Sequence, residues 1–346
     1  MLRNHKRSPW AIVLGLSLAL SASSSFGSEG NQSSGNERSN PANWTQPQND
    51  SQYWGNPTRV IASDRDQADL DSQAGAVPGL TVAPAKVFEM RNVAKVAATA
   101  TSLGSGDLLD RHGALLPTIT IHPIYWGPSS TLNVSYQLNT TNFLSGLVCS
   151  NCSTRLAGML KQYSRGANIN ISLGKSYSDT SNPPSNAPAT NAVANEVVKV
   201  VSAGAKDPID PTGLYLVFTS NFPSRAGYCA YHGAASVRIA STTTSFTFGY
   251  MPNLASQLNG CGAQYLPNYV ASGVGQAFDS LFNVTTHELY ETITDPGTSG
   301  YAWYDASGYE IGDKCAWNWS TSIAAAGKTY VVQQEYSNLT HSCAVS

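Results

Sequence analysis

The segment from Gly275 to Ile293 constrains this chain most: Phe278, Leu281, Phe282, Leu289 and Ile293 recur at helical spacing, and Asp295-Pro296-Gly297 ends the run. The pattern predicts one long helix packed against a core. Polar chemistry sits in the same helix, in Thr285-Thr286-His287-Glu288-Leu289-Tyr290-Glu291. On a helix His287 and Glu291 stand one turn apart on one face, with Glu288 beside them. Zinc hydrolases present two ligands and a base in this way, although their H-E-x-x-H pattern has a second histidine where this chain has Glu291. A carboxylate oxygen also binds zinc, so a zincin-like motif helix is the expectation.

The acidic residues continue beyond the helix, through Asp295, Asp305 and Glu310-Ile311-Gly312-Asp313, with no lysine or arginine before Lys314. Only 12% of the chain is charged, so this is a local concentration that a cation would offset. The expected metal ligands are His287 and Glu291, with Asp313 or Glu310 as the third, and Zn(2+) is the expected ion. Glu288 is placed as general base for a water activated by the metal, and His232 or Tyr304 as stabiliser of an oxyanion. Metal-assisted hydrolysis, most naturally of a peptide bond, is the reaction class. The competing reading is structural: His287 hydrogen-bonded to Glu291 or Asp313, holding the loop after Pro296 onto the helix. Calcium at Asp305 and Glu310 is a further alternative.

The N-terminus carries Arg3, His5, Lys6 and Arg7, then the apolar run 11–20, then small residues. That order is a secretory signal peptide, here assigned to residues 1–27. The run is short of the ~18–20 apolar residues a spanning helix needs, so no membrane span is expected after cleavage. A net charge of -2 gives no reason to expect nucleic acid as partner. Export places any substrate outside the cell, as an extracellular protein or other component of unknown identity. Six cysteines in an oxidising compartment point to disulfides, with fifteen pairings open. Cys149-Ser150-Asn151-Cys152 reads as a small disulfide loop rather than a redox or zinc C-x-x-C. Cys229 with Cys261 and Cys315 with Cys343 are the other expected pairs.

Residues 28–111 read as a polar leader or pro-segment, largely disordered, because the stretch up to about Pro84 has too little apolar surface to offset its ordering entropy. Within it, 87–100 is expected as an amphipathic helix before Gly104-Ser105-Gly106. The folded domain covers 112–346. Strands are expected in the β-branched run from Leu116 to Gly127, over 169–173, 214–219, 239–250 and 330–336. Helical spacing spans 141–163, broken at the cysteine loop, and 190–203. The class is α+β, or mixed α/β, in one domain. Trp317 and Trp319 are candidates for stacking on carbohydrate. Asn283-Val284-Thr285 has the form of a glycosylation acceptor but falls inside the expected helix.

Several motifs occur together in order: Ile124-Tyr125-Trp126-Gly127, Gly227 to His232, His287 to Glu291 with Asp295-Pro296, Trp303-Tyr304, Glu310 to Cys315, and Gln333 to Cys343. As a set they resemble the phosphate-induced protein 1 family, whose plant members are called EXORDIUM-like, over roughly 112–346. The resemblance implies an exported, apoplastic or wall-associated protein. This chain departs from the plant pattern in its long polar leader and in Tyr301-Ala302-Trp303-Tyr304-Asp305.

Overall fold

The computed structural model describes residues 77–83, 86–89, 104, 106–153, 155–188 and 190–345. Chain contacts divide the protein into Met1–Asn43 and Trp44–Ser346, and every described residue belongs to the second unit. The expected signal peptide, and the leader up to residue 76, lie outside the described residues.

In chain order the strands are β1 (Leu80–Val82), β2 (Lys86–Glu89), β3 (Leu109–Asp110), β4 (Thr118–Trp126), β5 (Asn170–Leu173), β6 (Tyr177–Asp179), β7 (Gly213–Thr219), β8 (Tyr228–Ile239) and β9 (Thr242–Met251). Five more follow: β10 (Trp303–Tyr304), β11 (Ser320–Ala325), β12 (Lys328–Gln333), β13 (Glu335–Ser337) and β14 (Ser342–Ala344). The α-helices among the described residues are α1 (Val134–Ser145), α2 (Arg155–Met159), α3 (Thr190–Val198), α4 (Leu258–Cys261) and α5 (Gln276–Thr294). The class is mixed α/β. An eight-stranded sheet runs β1-β8-β9-β7-β4-β5, with β2 also pairing β8 and β6 also pairing β4. Strands β5, β6, β4, β7 and β9 run parallel, and β8 is antiparallel to β9, β1 and β2.

The side-chain alternation of the central strands builds two cores. From β4 and β7, Ile119, Ile121, Tyr125, Leu214, Leu216 and Phe218 enter one core, which also holds Phe282, Leu289 and Ile293 of α5. Ile124, Tyr215 and Val217 enter the other, with Val193 and Val197 of α3. Strands buried on both faces read as near-continuous apolar runs, which is why β4 and β7 are legible in the sequence. The structure places α5 over the residues expected of the long helix, and buries it from Asp279 to Thr294. Its hydroxyls make that burial tolerable: Thr285, Thr286, Thr292 and Thr294 each donate to the carbonyl four residues back, at 2.7, 2.8, 2.6 and 3.1 Å.

Three local expectations are corrected. Residues 86–89 form a strand on β8 rather than the start of a helix, and 80–82 and 109–110, expected in the disordered leader, are also strands. The remainder of the expected helix, 90–100, lies outside the described residues. The reason is non-local: Val87 and Phe88 suit a strand as readily as a helix, and the exposed edge of β8 supplies the partner. The run 330–336 is two strands, interrupted at Gln334, each pairing a different neighbour. The 190–203 helix is α-helical only to Val198 and closes as a π-helical stretch over Lys199–Gly204. Asn283 is fully buried and accepts from the Gln333 amide at 2.8 Å, which leaves no surface for glycosylation. Trp317 is also buried and cannot present a face to sugar.

All six cysteines are bonded, as Cys149–Cys152, Cys229–Cys261 and Cys315–Cys343. Among the described residues no helix is long and apolar enough to cross a membrane.

Away from the acidic helix, Glu196 of α3 is 3% exposed and accepts from Lys199 Nζ at 3.0 Å. Burial, then the neighbouring Asp179 carboxylate, pushes its carboxyl from the ordinary value near 4.5 up to about 7. The folded state therefore binds this proton more tightly than the unfolded chain. Stability from this group is fully present below about pH 4.5 and is lost as pH rises to about 7. Glu196→Gln is expected to remove that dependence, so that thermal melts of variant and parent diverge in its favour between pH 5 and pH 8. A parallel pair of melting curves across that window would refute the assignment.

Candidate metal centre

Three parts of the chain bring the acidic residues together. Helix α5 contributes His287, Glu288 and Glu291 from adjacent turns. Strand β8 lies beneath α5 and contributes His232, which points to the α5 side because Tyr231 takes the opposite face. The loop after β10 contributes Glu310 and Asp313 and ends in the turn Asp313–Cys315. The helix can approach β8 and β9 closely because the facing positions are small, Ala230 and Gly249 among them. A Cβ on Gly249 would come within 2.9 Å of Leu216 and Met251.

The loop is drawn onto α5 by its own backbone. The Asp313 amide donates to Glu291 Oε1 at 3.0 Å, the Glu310 amide donates to Asp313 Oδ2 at 3.1 Å, and Gln333 Nε2 donates to the Gly312 carbonyl at 2.8 Å. Gly312 passes against the imidazole of His287, where an added Cβ would lie 2.5 Å from Nδ1. A Gly312→Ala variant is therefore expected to cost on the order of 1–3 kcal/mol by displacing the loop or the ring, as overpacking does. Chemical denaturation against the parent protein measures this, and an unchanged midpoint would refute it.

The site's distances are short. His232 Nδ1 lies 2.8 Å from Glu288 Oε2 and 3.7 Å from Glu291 Oε2, and His232 Nε2 lies 3.8 Å from Glu310 Oε1. His287 Nε2 lies 3.1 Å from Glu291 Oε2 and 4.0 Å from Asp313 Oδ1. His287, Glu288 and Glu291 are each 0% exposed, and His232 and Glu310 are each 1%. Two sets of donor atoms lie mutually within 4.8 Å: His232, Glu291 and Glu310, and His287, Glu288 and Glu291. Within each set these separations suit the ligands of an ion, since ligands bonded at 2.0–2.1 Å to a tetrahedral zinc stand about 3.3–3.4 Å apart. Buried imidazole and carboxylate groups in this arrangement can hold a metal ion.

Glu335 of β13, not anticipated as a site residue, is 0% exposed beside this group. Burial raises its carboxyl pKa well above the ordinary range, and the negative Glu291 and Asp313 raise it further. Among the described residues, Lys314 is the one buried lysine or arginine; its Nζ donates to Asp305 Oδ2 at 2.9 Å and sits 4.4 Å above the Tyr336 ring. Asp305 in turn accepts from the Ser307 and Tyr309 amides, which shapes the loop.

Of the residues expected at the site, the structure brings together His232, His287, Glu288, Glu291, Glu310 and Asp313. His232, expected to stabilise an oxyanion, stands among the ligand-type groups instead. Asp313, expected as third ligand, falls outside the two close sets and organises the loop through its backbone and Oδ2. Tyr304 lies half-buried on β10, with Arg111 over its ring at 4.9 Å. Asp295 caps α5, accepts from the Ala302 amide and places its carbonyl 3.4 Å from His232 Nε2.

Comparison of the chain with protein-family models, with curated proteins and with solved structures finds no match in any of the three. The molecule is thus defined by its own architecture, a mixed α/β sheet with a buried cluster of histidines and carboxylates against one face. That cluster can hold a metal ion.

Proposed function

We propose that this is an exported, EXORDIUM-like metalloprotein whose buried cluster binds zinc and supports hydrolysis. The observation that carries the metal-binding reading is the enclosure of Glu288, Glu291, Glu310, Asp313 and Glu335 at no more than 3% exposure, together with two imidazoles. Desolvating that many carboxylates is costly unless positive charge is placed among them. Imidazole nitrogens beside carboxylate oxygens select a transition ion such as zinc over calcium, which prefers oxygen alone. The ordered motifs of 112–346 support the family reading. The apolar N-terminal run and the three disulfides support export.

Zinc, when bound, would polarise a substrate carbonyl and acidify water. His287 and Glu291 would hold it from one helix face, with Asp313 and Glu310 on the loop side. Glu288 is the general base, adjacent in sequence to His287 and 2.8 Å from His232 Nδ1. His232 would then relay the proton or orient the carboxylate. The substrate class is an extracellular protein or wall component.

Complete burial of the same groups favours a second reading, in which the ion is structural and the protein acts by binding a partner outside the cell. Glu288→Gln separates the two. With a hydrolytic centre, turnover on a peptide library is expected to fall at least about 100-fold, the usual contribution of a positioned base, while zinc content and melting temperature hold. A parent protein that binds zinc yet cleaves nothing would leave the structural reading standing and remove the hydrolase.

A further inference from the structure

The two close donor sets share one residue and otherwise use different ones, each with its own histidine. We infer that the centre is built for two divalent cations bridged by Glu291, one on the side of His287 and the other held with His232 and Glu310. This rests on the metal-binding reading above and adds the number of ions.

The position of the Glu291 carboxylate is the main reason. Its Oε1 is taken by the Asp313 amide at 3.0 Å, which fixes the plane of the group. Its Oε2 then lies between the imidazoles, 3.1 Å from His287 Nε2 and 3.7 Å from His232 Nδ1. One oxygen facing two histidines from different elements is the placement a bridging ligand requires. The His232 ring agrees with this division. Nδ1 lies 2.8 Å from Glu288 Oε2, the shortest of its contacts, and Nε2 faces the Asp295 carbonyl at 3.4 Å and Glu310 Oε1 at 3.8 Å. Glu288 therefore ties the two halves together.

Charge supplies an independent argument. Glu288, Glu291, Glu310, Asp313 and Glu335 are buried together, and Lys314 is engaged with Asp305. Counting Glu288, Glu291, Glu310 and Asp313, a single divalent ion would leave an excess of two negative charges, and a second cancels it. Carboxylate-rich sites with one histidine per ion are a known way for helices to hold paired transition ions.

The test is stoichiometry. Tag-free, disulfide-intact protein is stripped with chelator, reloaded with zinc alone, and measured by isothermal titration and elemental analysis. Two equivalents per chain are expected, and Glu310→Gln should reduce this to one while Glu291→Gln weakens both by tenfold or more. Reloading with manganese gives a second readout that needs no variant: two equivalents should produce an exchange-coupled paramagnetic resonance spectrum. One equivalent in the parent protein, with an uncoupled manganese spectrum, would overturn the paired site and leave the single-metal reading intact. No bound metal at all would overturn both.

Discussion

Removing divalent ions from the purified protein is expected to lower its melting temperature by roughly 8–16 °C, with recovery on adding zinc. The size follows from linkage: a ligand that binds only the folded state at about 1,000 times its dissociation constant adds ~4 kcal/mol, and ~1 kcal/mol moves a domain of this size by ~2–4 °C. The direction follows from the cluster. Without a cation, Glu288, Glu291, Glu310, Asp313 and Glu335 share a space in which none is more than 3% exposed, and mutual repulsion adds to desolvation. With a cation the carboxylates that ligate it gain a counter-charge at bonding distance. Chelator-treated and zinc-reloaded samples compared by calorimetry decide the matter. Equal melting temperatures, in samples whose metal content differs by analysis, would mean that the acidic group is held by protonation and hydrogen bonds alone.

Breaking Cys315–Cys343 by a double serine substitution is expected to cost about 3–4 kcal/mol, the loop-closure value for a separation of 28 residues. A second effect should accompany it. Cys315 closes the turn Asp313–Cys315, which presents Asp313 and Glu310 to α5, and Cys343 lies on β14 against β13, which carries Glu335. The bond thus fastens two acidic contributors of the centre to each other. Zinc affinity should fall along with stability, whereas a double substitution of Cys149 and Cys152, which closes a separation of only three residues, should leave affinity unchanged. Titration of both variants at a temperature where each is folded makes the comparison. Equal zinc affinity in the two would show that the loop holds its place without the bond.

Helix α5 was legible because its apolar stripe repeats over five turns, long enough for the helical period to stand out from a strand's. Strands β4 and β7 were legible because β-branched and aromatic residues run through them without a break. Strand β8 was not. Its middle is Gly233-Ala234-Ala235-Ser236, residues of low strand preference, and β9, β1 and β2 supply the pairing that makes it extended. Glu335 was missed for a related reason: one glutamate in the run 330–336 carries no local sign that it will face Glu291 rather than solvent.

What the sequence determined by itself is the chemistry available: a helix with His287, Glu288 and Glu291 on neighbouring positions, an acidic loop ending in Asp313, and six cysteines, all fixed by local spacing. Only the tertiary structure decided that His232 joins them across the sheet, that Glu335 enters from a separate hairpin, and that Glu291 Oε2 stands between both imidazoles. Helical period is a property of adjacent residues, but convergence depends on the pairing of β8 with β9 and the packing of α5 above them, and no window of sequence contains both.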